Sequence, residues 1–189
     1  MAIFAPLFEA LNMSNIRYVV VGGLATVLHG YVRLTVDIDL AVDLTPDEAK
    51  KAISTTQLGL VPKLSLNPSD FANPQTRQIW NREKNMQVFS MIDPRIPLRI
   101  VDLFVENPIP FKDLWSRSRT VQVDTVSISI ASLVDLIHLK RLAGRPQDLI
   151  DIEQLEQIQK RQKGANDGRE IRASDSFPRN HGNVWGNSA

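Results

Sequence analysis

Apolar residues recur at helical spacing in Ile3, Phe4, Leu7, Phe8 and Leu11, which predicts a short amphipathic helix over residues 2–14. The pattern then tightens into an unbroken apolar run, Tyr18 to Val21, which reads as a buried strand. Gly22-Gly23 ends that run, and Leu24 to His29 follows as a helix closed by Gly30. Arg33 to Val42 carries a second strand. Thr45-Pro46-Asp47-Glu48 is a helix start: Thr45 can cap, Pro46 suits the first helical position, and the acids suit the positive end. That helix is expected to run to about Leu58 and stop at Gly59.

From Val61 to Arg82 prolines and asparagines predict a loop with a helical turn. Asn85 to Ile92 and Leu98 to Val105 read as strands joined through Asp93-Pro94-Arg95, and Val121 to Asp124 and Val126 to Ile130 as two short strands. Ser132 to Ala143 and Gln147 to Gln162 are helices separated by Gly144-Arg145-Pro146. After Lys163 the chain turns polar and loses its periodicity. The expected organisation is therefore a main domain over 1–130, a helical hairpin over 131–163 packed on it, and a disordered tail over 164–189. The mixed order of helices and strands implies an α/β fold of the α+β type, with a partly antiparallel sheet and a helical C-terminal segment. A doubly wound dinucleotide fold is excluded, because Gly22-Gly23 lacks the GxGxxG spacing and no full set of alternating units follows.

With 189 residues, 43% of them hydrophobic, the chain can bury one substantial core. A formal net charge of +1 supplies no global field toward nucleic acid or membrane. There is no cysteine, which excludes disulfides and cysteine-ligated metals and fits a reducing, cytoplasmic setting. Residues 1–11 lack the basic start and long apolar core of a signal peptide, and no run reaches the length of a membrane span.

The chemistry concentrates in Val36-Asp37-Ile38-Asp39-Leu40. In a strand both carboxylates emerge on one face, while Val36, Ile38 and Leu40 face the other way. Two adjacent carboxylates beside a hydrophobic core are costly unless something positive sits between them, and Mg²⁺ meets that need. The plainer reading, an edge strand kept soluble by its acids, would place polar residues at several outward positions, whereas this strand continues through Leu40, Ala41 and Val42. Asp102, in a second apolar strand, is the candidate third carboxylate and a candidate proton acceptor. Three carboxylates on neighbouring strands can hold two Mg²⁺ ions and serve an in-line displacement at phosphorus. Gly22 and Gly23 would let a triphosphate approach the backbone, Arg33 could neutralise phosphate, and Thr35 could hydrogen-bond it. His29 reads as a helix-end residue. Lys140, Arg145, Asp148 and Asp151 cluster around one turn. The plain reading is a helical hairpin with charged outer faces; in the functional one Asp148 caps the helix or pairs with Lys140, fixing its amine toward the cleft, where it could touch nucleotide phosphate or ribose.

Gly22-Gly23, Gly30, Arg33, Thr35, Asp37-Ile38-Asp39-Leu40 and Asp102 together resemble the DNA polymerase β-like nucleotidyltransferase superfamily, over about residues 15–160. The segment Lys140 to Asp151 is similar to the helical signature of the bacterial AbiEii-type and minimal nucleotidyltransferases, many of them toxins of toxin–antitoxin systems. The resemblance implies a mixed sheet flanked by helices and two-metal transfer of a nucleoside monophosphate from an NTP, with release of pyrophosphate. It assigns Asp37 and Asp39 to the metal pair and Asp102 to the third carboxylate. The acceptor would be a hydroxyl of a tRNA 3′ end, of a protein, or of a small molecule such as an aminoglycoside or lincosamide, and an antitoxin is a possible partner. The alternative is a degenerate member that keeps the fold and acts as a binding or regulatory protein; the intact trio of aspartates favours the enzyme. Many members carry Gly-Ser where this chain has Gly22-Gly23, which implies that Gly23 relies on backbone N–H groups alone.

Overall fold

The computed structural model describes residues 4–57 and 59–174. Helix α1 (Ala5–Met13) buries Leu7, Phe8 and Leu11, the face that its apolar spacing predicts. Strand β1 (Tyr18–Val21) is buried throughout, and helix α2 (Gly22–Leu28) starts directly from it, two residues earlier than the glycine pair suggested. Strand β2 (Asp37–Val42) leads through Thr45 into α3 (Pro46–Thr56), which carries Asp47 and Glu48 in its first turn. Next come the two-residue strand β3 (Val61–Pro62), a 3₁₀ turn (Pro68–Ala72) and helix α4 (Pro74–Lys84). The hairpin of β4 (Val88–Asp93) and β5 (Ile96–Phe104) is followed by α5 (Phe111–Arg117), then by the hairpin of β6 (Arg119–Val123) and β7 (Val126–Ile130). Helices α6 (Leu133–Ala143) and α7 (Pro146–Ser174) end the described chain.

Among the described residues seven strands form one mixed sheet in the order β3-β4-β5-β2-β1-β7-β6. The β1–β7 and β2–β5 pairs are parallel and the other four are antiparallel. The mixed α/β class expected from the order of elements is the class observed. Alternation sorts β4 and β5 cleanly: Phe89, Met91, Val101 and Leu103 are buried, while Ser90 and Asp102 lie on the opposite face. The buried side stacks Trp80 of α4 on Phe89, ring centroids 5.4 Å apart. No helix among the described residues is long and apolar enough to cross a membrane.

The structure corrects several expectations. The stretch 61–82 is mostly ordered rather than a loop. Asn73 caps α4 by accepting from the Gln75 and Thr76 N–H groups, Pro74 takes the first turn, and Asn85 closes the helix in the left-handed region at φ 49°. The periodicity is weak there because the buried face holds only Trp80 and Arg77; the Arg77 guanidinium donates to the carbonyls of Phe71 and Leu44. Strand β2 begins at Asp37, not Arg33: Val32 and Leu34 are 84% and 87% exposed, so the alternation in this stretch has no partner strand. Helix α5 was not anticipated. Helix α7 continues to Ser174, past the 164 boundary drawn for a tail; the rest of that expected tail, 175–189, lies outside the described residues.

Candidate active site

Two parallel strands build the acidic centre. Register sets Asp39 of β2 opposite Asp102 of β5, and Val21, the last residue of β1, opposite Asp39 from the other side. Beneath the carboxylates Ile38 and Leu40 are fully buried, which fixes the face that Asp37 and Asp39 present. Val36 was expected to join them but is 40% exposed, since it precedes the first paired residue. One carboxylate oxygen from each of Asp37, Asp39 and Asp102 can be chosen so that all three lie within 4.8 Å of one another.

Such crowding has an electrostatic cost. Burial, then the neighbouring Asp37 and Asp102, push the Asp39 carboxyl up to about 6, against smaller opposing pulls from Arg145 and Lys140. Burial also raises Asp102, opposed by a hydrogen bond from Ser90 and by the charge of Lys63, and reinforced by Asp37. One oxygen of Asp102 is buried with no hydrogen-bond partner among the described residues. Three convergent hard oxygen ligands, one of them unsatisfied, could hold a hard divalent cation.

The glycine pair shapes the same place. Gly22 sits at φ 60°, and a Cβ there would overlap Asp39 Oδ2; glycine alone both adopts that conformation and leaves the carboxylate room. A Cβ on Gly23 would collide with Thr35 Oγ1 and come within 2.8 Å of Arg33 Nη2. The loop that carries Arg33 and Thr35 therefore folds directly over Gly23. The Thr35 hydroxyl stands beside the position from which a serine at 23 would extend, and it lies 3.4 Å from Asp37 Oδ1.

Helices α6 and α7 form the opposite wall. Ser132 caps α6, and Gly144, at φ 62°, lets the chain reverse into α7. The Lys140 amine lies 2.6 Å from Asp151 and 3.3 Å from Asp148, and its side chain is 4% exposed. Arg33 Nε is 3.0 Å from the other oxygen of Asp151, so this network ties the 31–36 loop to the hairpin. Burial alone would raise Asp148 and Asp151; hydrogen bonds and charge from Arg145 and Lys140 at Asp148, and from Lys140, Gln147 and Arg33 at Asp151, outweigh it and hold both below the ordinary carboxylate value. Lys140 pairs with Asp148 as the spacing suggested. It borders the cleft, but its amine is engaged by two carboxylates.

The cation that faces solvent across from the acids is Arg145. It is bonded to Asp148 at 2.8 Å, its side chain is 72% exposed, and Asp39 and Asp37 both act on its charge. The sequence placed Arg145 in the cluster but gave no sign that it, rather than Lys140, keeps a free approach to the cleft. His29 closes α2 as expected. Its ring bonds the Ala131 carbonyl at 2.8 Å, and burial lowers its pKa, so it stands neutral. Between the two walls lies a cleft of about 580 Å³, bordered by Gly22, Asp37, Asp39 and Asp102 on one side and Lys140 and Arg145 on the other.

A family model described as nucleotidyltransferase of unknown function (DUF6036) matches residues 3–162. The chain belongs to this DUF6036 family of nucleotidyltransferases. The match spans the acid-bearing strands and the α6–α7 hairpin as far as Gln162. No curated protein sequence matches the chain. Solved structures share the DUF6036 protein's fold at low identity. The lincosamide antibiotic adenylyltransferase LnuA, lincomycin-bound, has a TM-score of 0.52 at 15% identity, over 80% of this chain and 93% of its own. ANT(2″)-Ia in complex with adenylyl-2″-tobramycin has a TM-score of 0.53 at 13% identity, over 92% and 94%. An antigenic nucleotidyltransferase-like protein from Paracoccidioides brasiliensis has a TM-score of 0.51 at 17% identity, over 82% and 73%.

Proposed function

We propose that this nucleotidyltransferase moves a nucleoside monophosphate from a Mg²⁺-bound NTP to an acceptor hydroxyl, using Asp37, Asp39 and Asp102. The observation that carries the reading is the convergence of these three carboxylates within 4.8 Å, with one buried oxygen of Asp102 unpartnered. Mg²⁺ held there would neutralise the carboxylates and draw charge from the α-phosphate. Gly22 keeps the space beside Asp39 open for the triphosphate and Arg145 brings a positive charge from the opposite wall, while Thr35 stands beside Asp37 and Arg33, engaged by Asp151 and the Leu34 carbonyl, holds the loop behind it.

The chemical step is a displacement at the α-phosphorus. The acceptor oxygen forms a new P–O bond, the bond between the α-phosphorus and the bridging oxygen breaks, and pyrophosphate departs. Asp102 receives the proton of the attacking hydroxyl; its place on a different strand from the Asp37–Asp39 pair suits it to the acceptor side. The buried Lys140–Asp148–Asp151–Arg33 network positions the loop and hairpin that flank the nucleotide. Fold neighbours that carry lincomycin and an adenylylated tobramycin support a small hydroxylated acceptor on this architecture.

The test is incubation with each α-labelled NTP and Mg²⁺, offering total tRNA, cell protein and a small-molecule extract in turn. Label should enter one fraction with the wild type and none with Asp39→Asn. A wild type that binds no Mg·NTP and labels no fraction contradicts the proposal and leaves a nucleotidyltransferase fold without the reaction.

A further inference from the structure

Asp39, Asp102, Ser90 and Lys63 stand in one lateral row across the sheet. Asp39 is opposite Asp102, and Asp102 is opposite Ser90. The Lys63 N–H donates to the Ser90 carbonyl at 2.9 Å and extends the row just beyond β3. With strands about 4.8 Å apart, the Lys63 backbone lies about 10 Å from that of Asp102. The row thus runs from a negative end at the triad to a positive end at Lys63.

A second hollow, of about 250 Å³, opens beside this row at the edge of β4. It exists because β3 is only two residues long. After Pro62 the chain leaves β4 and bends through Leu64 and Leu66, so Phe89 and Val88 lose their covering strand. Leu64, Leu66 and Met86 give it an apolar stretch beside nearly as much polar surface; among the described residues its charged or polar side chains are Lys63 and Ser90. Among the described residues no carboxylate lines it. Val88 borders both this hollow and the acidic cleft, so the two spaces adjoin on the Asp102 side.

We infer that this hollow is the acceptor subsite and takes a small hydroxylated acid: an apolar body with an anionic group on Lys63 and its hydroxyl directed along the row to Asp102. The inference rests on the nucleotidyl-transfer reading above and adds the class of acceptor to it. Charge decides the class. A polycationic amino sugar would meet a lysine and apolar walls, with no carboxylate to receive its amines. A carboxylate or phosphate would meet an exposed ammonium at the far end, and an apolar body would cover Leu64, which is 59% exposed.

The full-length protein tests this by calorimetry with Mg²⁺ and a non-hydrolysable NTP present. The probes are 8-hydroxyoctanoate, its neutral amide and tobramycin, offered to the wild type, Lys63→Glu and Lys63→Arg. The acid should bind the wild type about tenfold more tightly than the amide, the value of one charge-assisted contact, and tobramycin should not bind. Lys63→Glu should lose at least that factor for the acid, and Lys63→Arg should keep most of it. Mg·NTP affinity should be the same in the wild type and Lys63→Arg, which reads out folding and the nucleotide site together, and should change by no more than about fivefold in Lys63→Glu, whose reversed charge reaches Asp102. Equal binding of acid and amide, preference for tobramycin, or indifference of the acid to Lys63→Glu overturns the acceptor class while the transfer reading stands. A wild type that binds the acid through Lys63 yet neither binds Mg·NTP nor transfers overturns the transfer reading, and the hollow's role as acceptor subsite with it.

Discussion

Asp39→Asn should stabilise the metal-free protein at neutral pH, and the size of the effect follows from the crowding of the triad. Burial and two neighbouring carboxylates raise Asp39 from 3.8 to about 6. The folded state therefore holds this proton more tightly than the unfolded chain. Stability contributed by the protonated form is present below the ordinary value, falls as pH rises from about 4 to about 6, and is lost above that window. A rise of about two units corresponds to about 3 kcal/mol at pH 7.5. Asparagine cannot ionise, and its amide can donate to Asp37 or Asp102, so the variant escapes the penalty. The assay is urea unfolding in EDTA from pH 4.5 to 8, read as the difference between variant and wild type. That difference should already be about 1 kcal/mol at pH 4.5 and reach about 3 kcal/mol in the variant's favour by pH 7.5. Mg²⁺ should then raise the wild type at pH 7.5 and leave the variant nearly unmoved. A variant less stable than the wild type at pH 7.5 in EDTA, or a difference that does not change with pH, refutes the electrostatic reasoning.

Gly23→Ser should weaken Mg·NTP binding by about tenfold or more, because its Cβ displaces Thr35 and Arg33; adding Thr35→Ala should restore part of the loss, as calorimetry on single and double variants will show. Lys140→Met should cost about 3–5 kcal/mol in urea unfolding, since Asp148 and Asp151 are left buried without their shared cation. A cost below about 1 kcal/mol would mean that Arg33 and Arg145 suffice to hold the hairpin.

The strands that carry the acids were legible because they obey a simple period. Ile38 and Leu40 alternate with Asp37 and Asp39, and Val101 and Leu103 flank Asp102, so one face had to be buried and the other had to carry charge. The same rule misled at Leu34 and Val36, where alternation continues without a partner strand among the described residues. Helix α4 escaped notice because an arginine occupies half of its buried face, and only the tertiary contacts to the Phe71 and Leu44 carbonyls reveal why. Lys140 and Arg145 were visible as a cluster. Which of them faces the cleft depends on how α6 crosses α7, and local spacing does not encode that. Lys63 could not be singled out, since its place beside Ser90 comes from a strand two residues long. That Thr35 stands alongside Gly23 follows from the loop folding over it, which local spacing does not encode either.

The central claim, that the three aspartates form a nucleotidyl-transfer site with Asp102 on the acceptor side, is tested most directly by one paired measurement on Asp102→Ala: Mg·NTP affinity by calorimetry and single-turnover transfer to the labelled acceptor. Affinity should survive, because Asp37, Asp39 and the Gly22-Gly23 turn remain, while transfer should slow by about 10²–10⁴-fold, the range for loss of a general base. A collapse of affinity with a normal rate at saturation would contradict the division of labour, and no change in either would remove Asp102 from the site altogether.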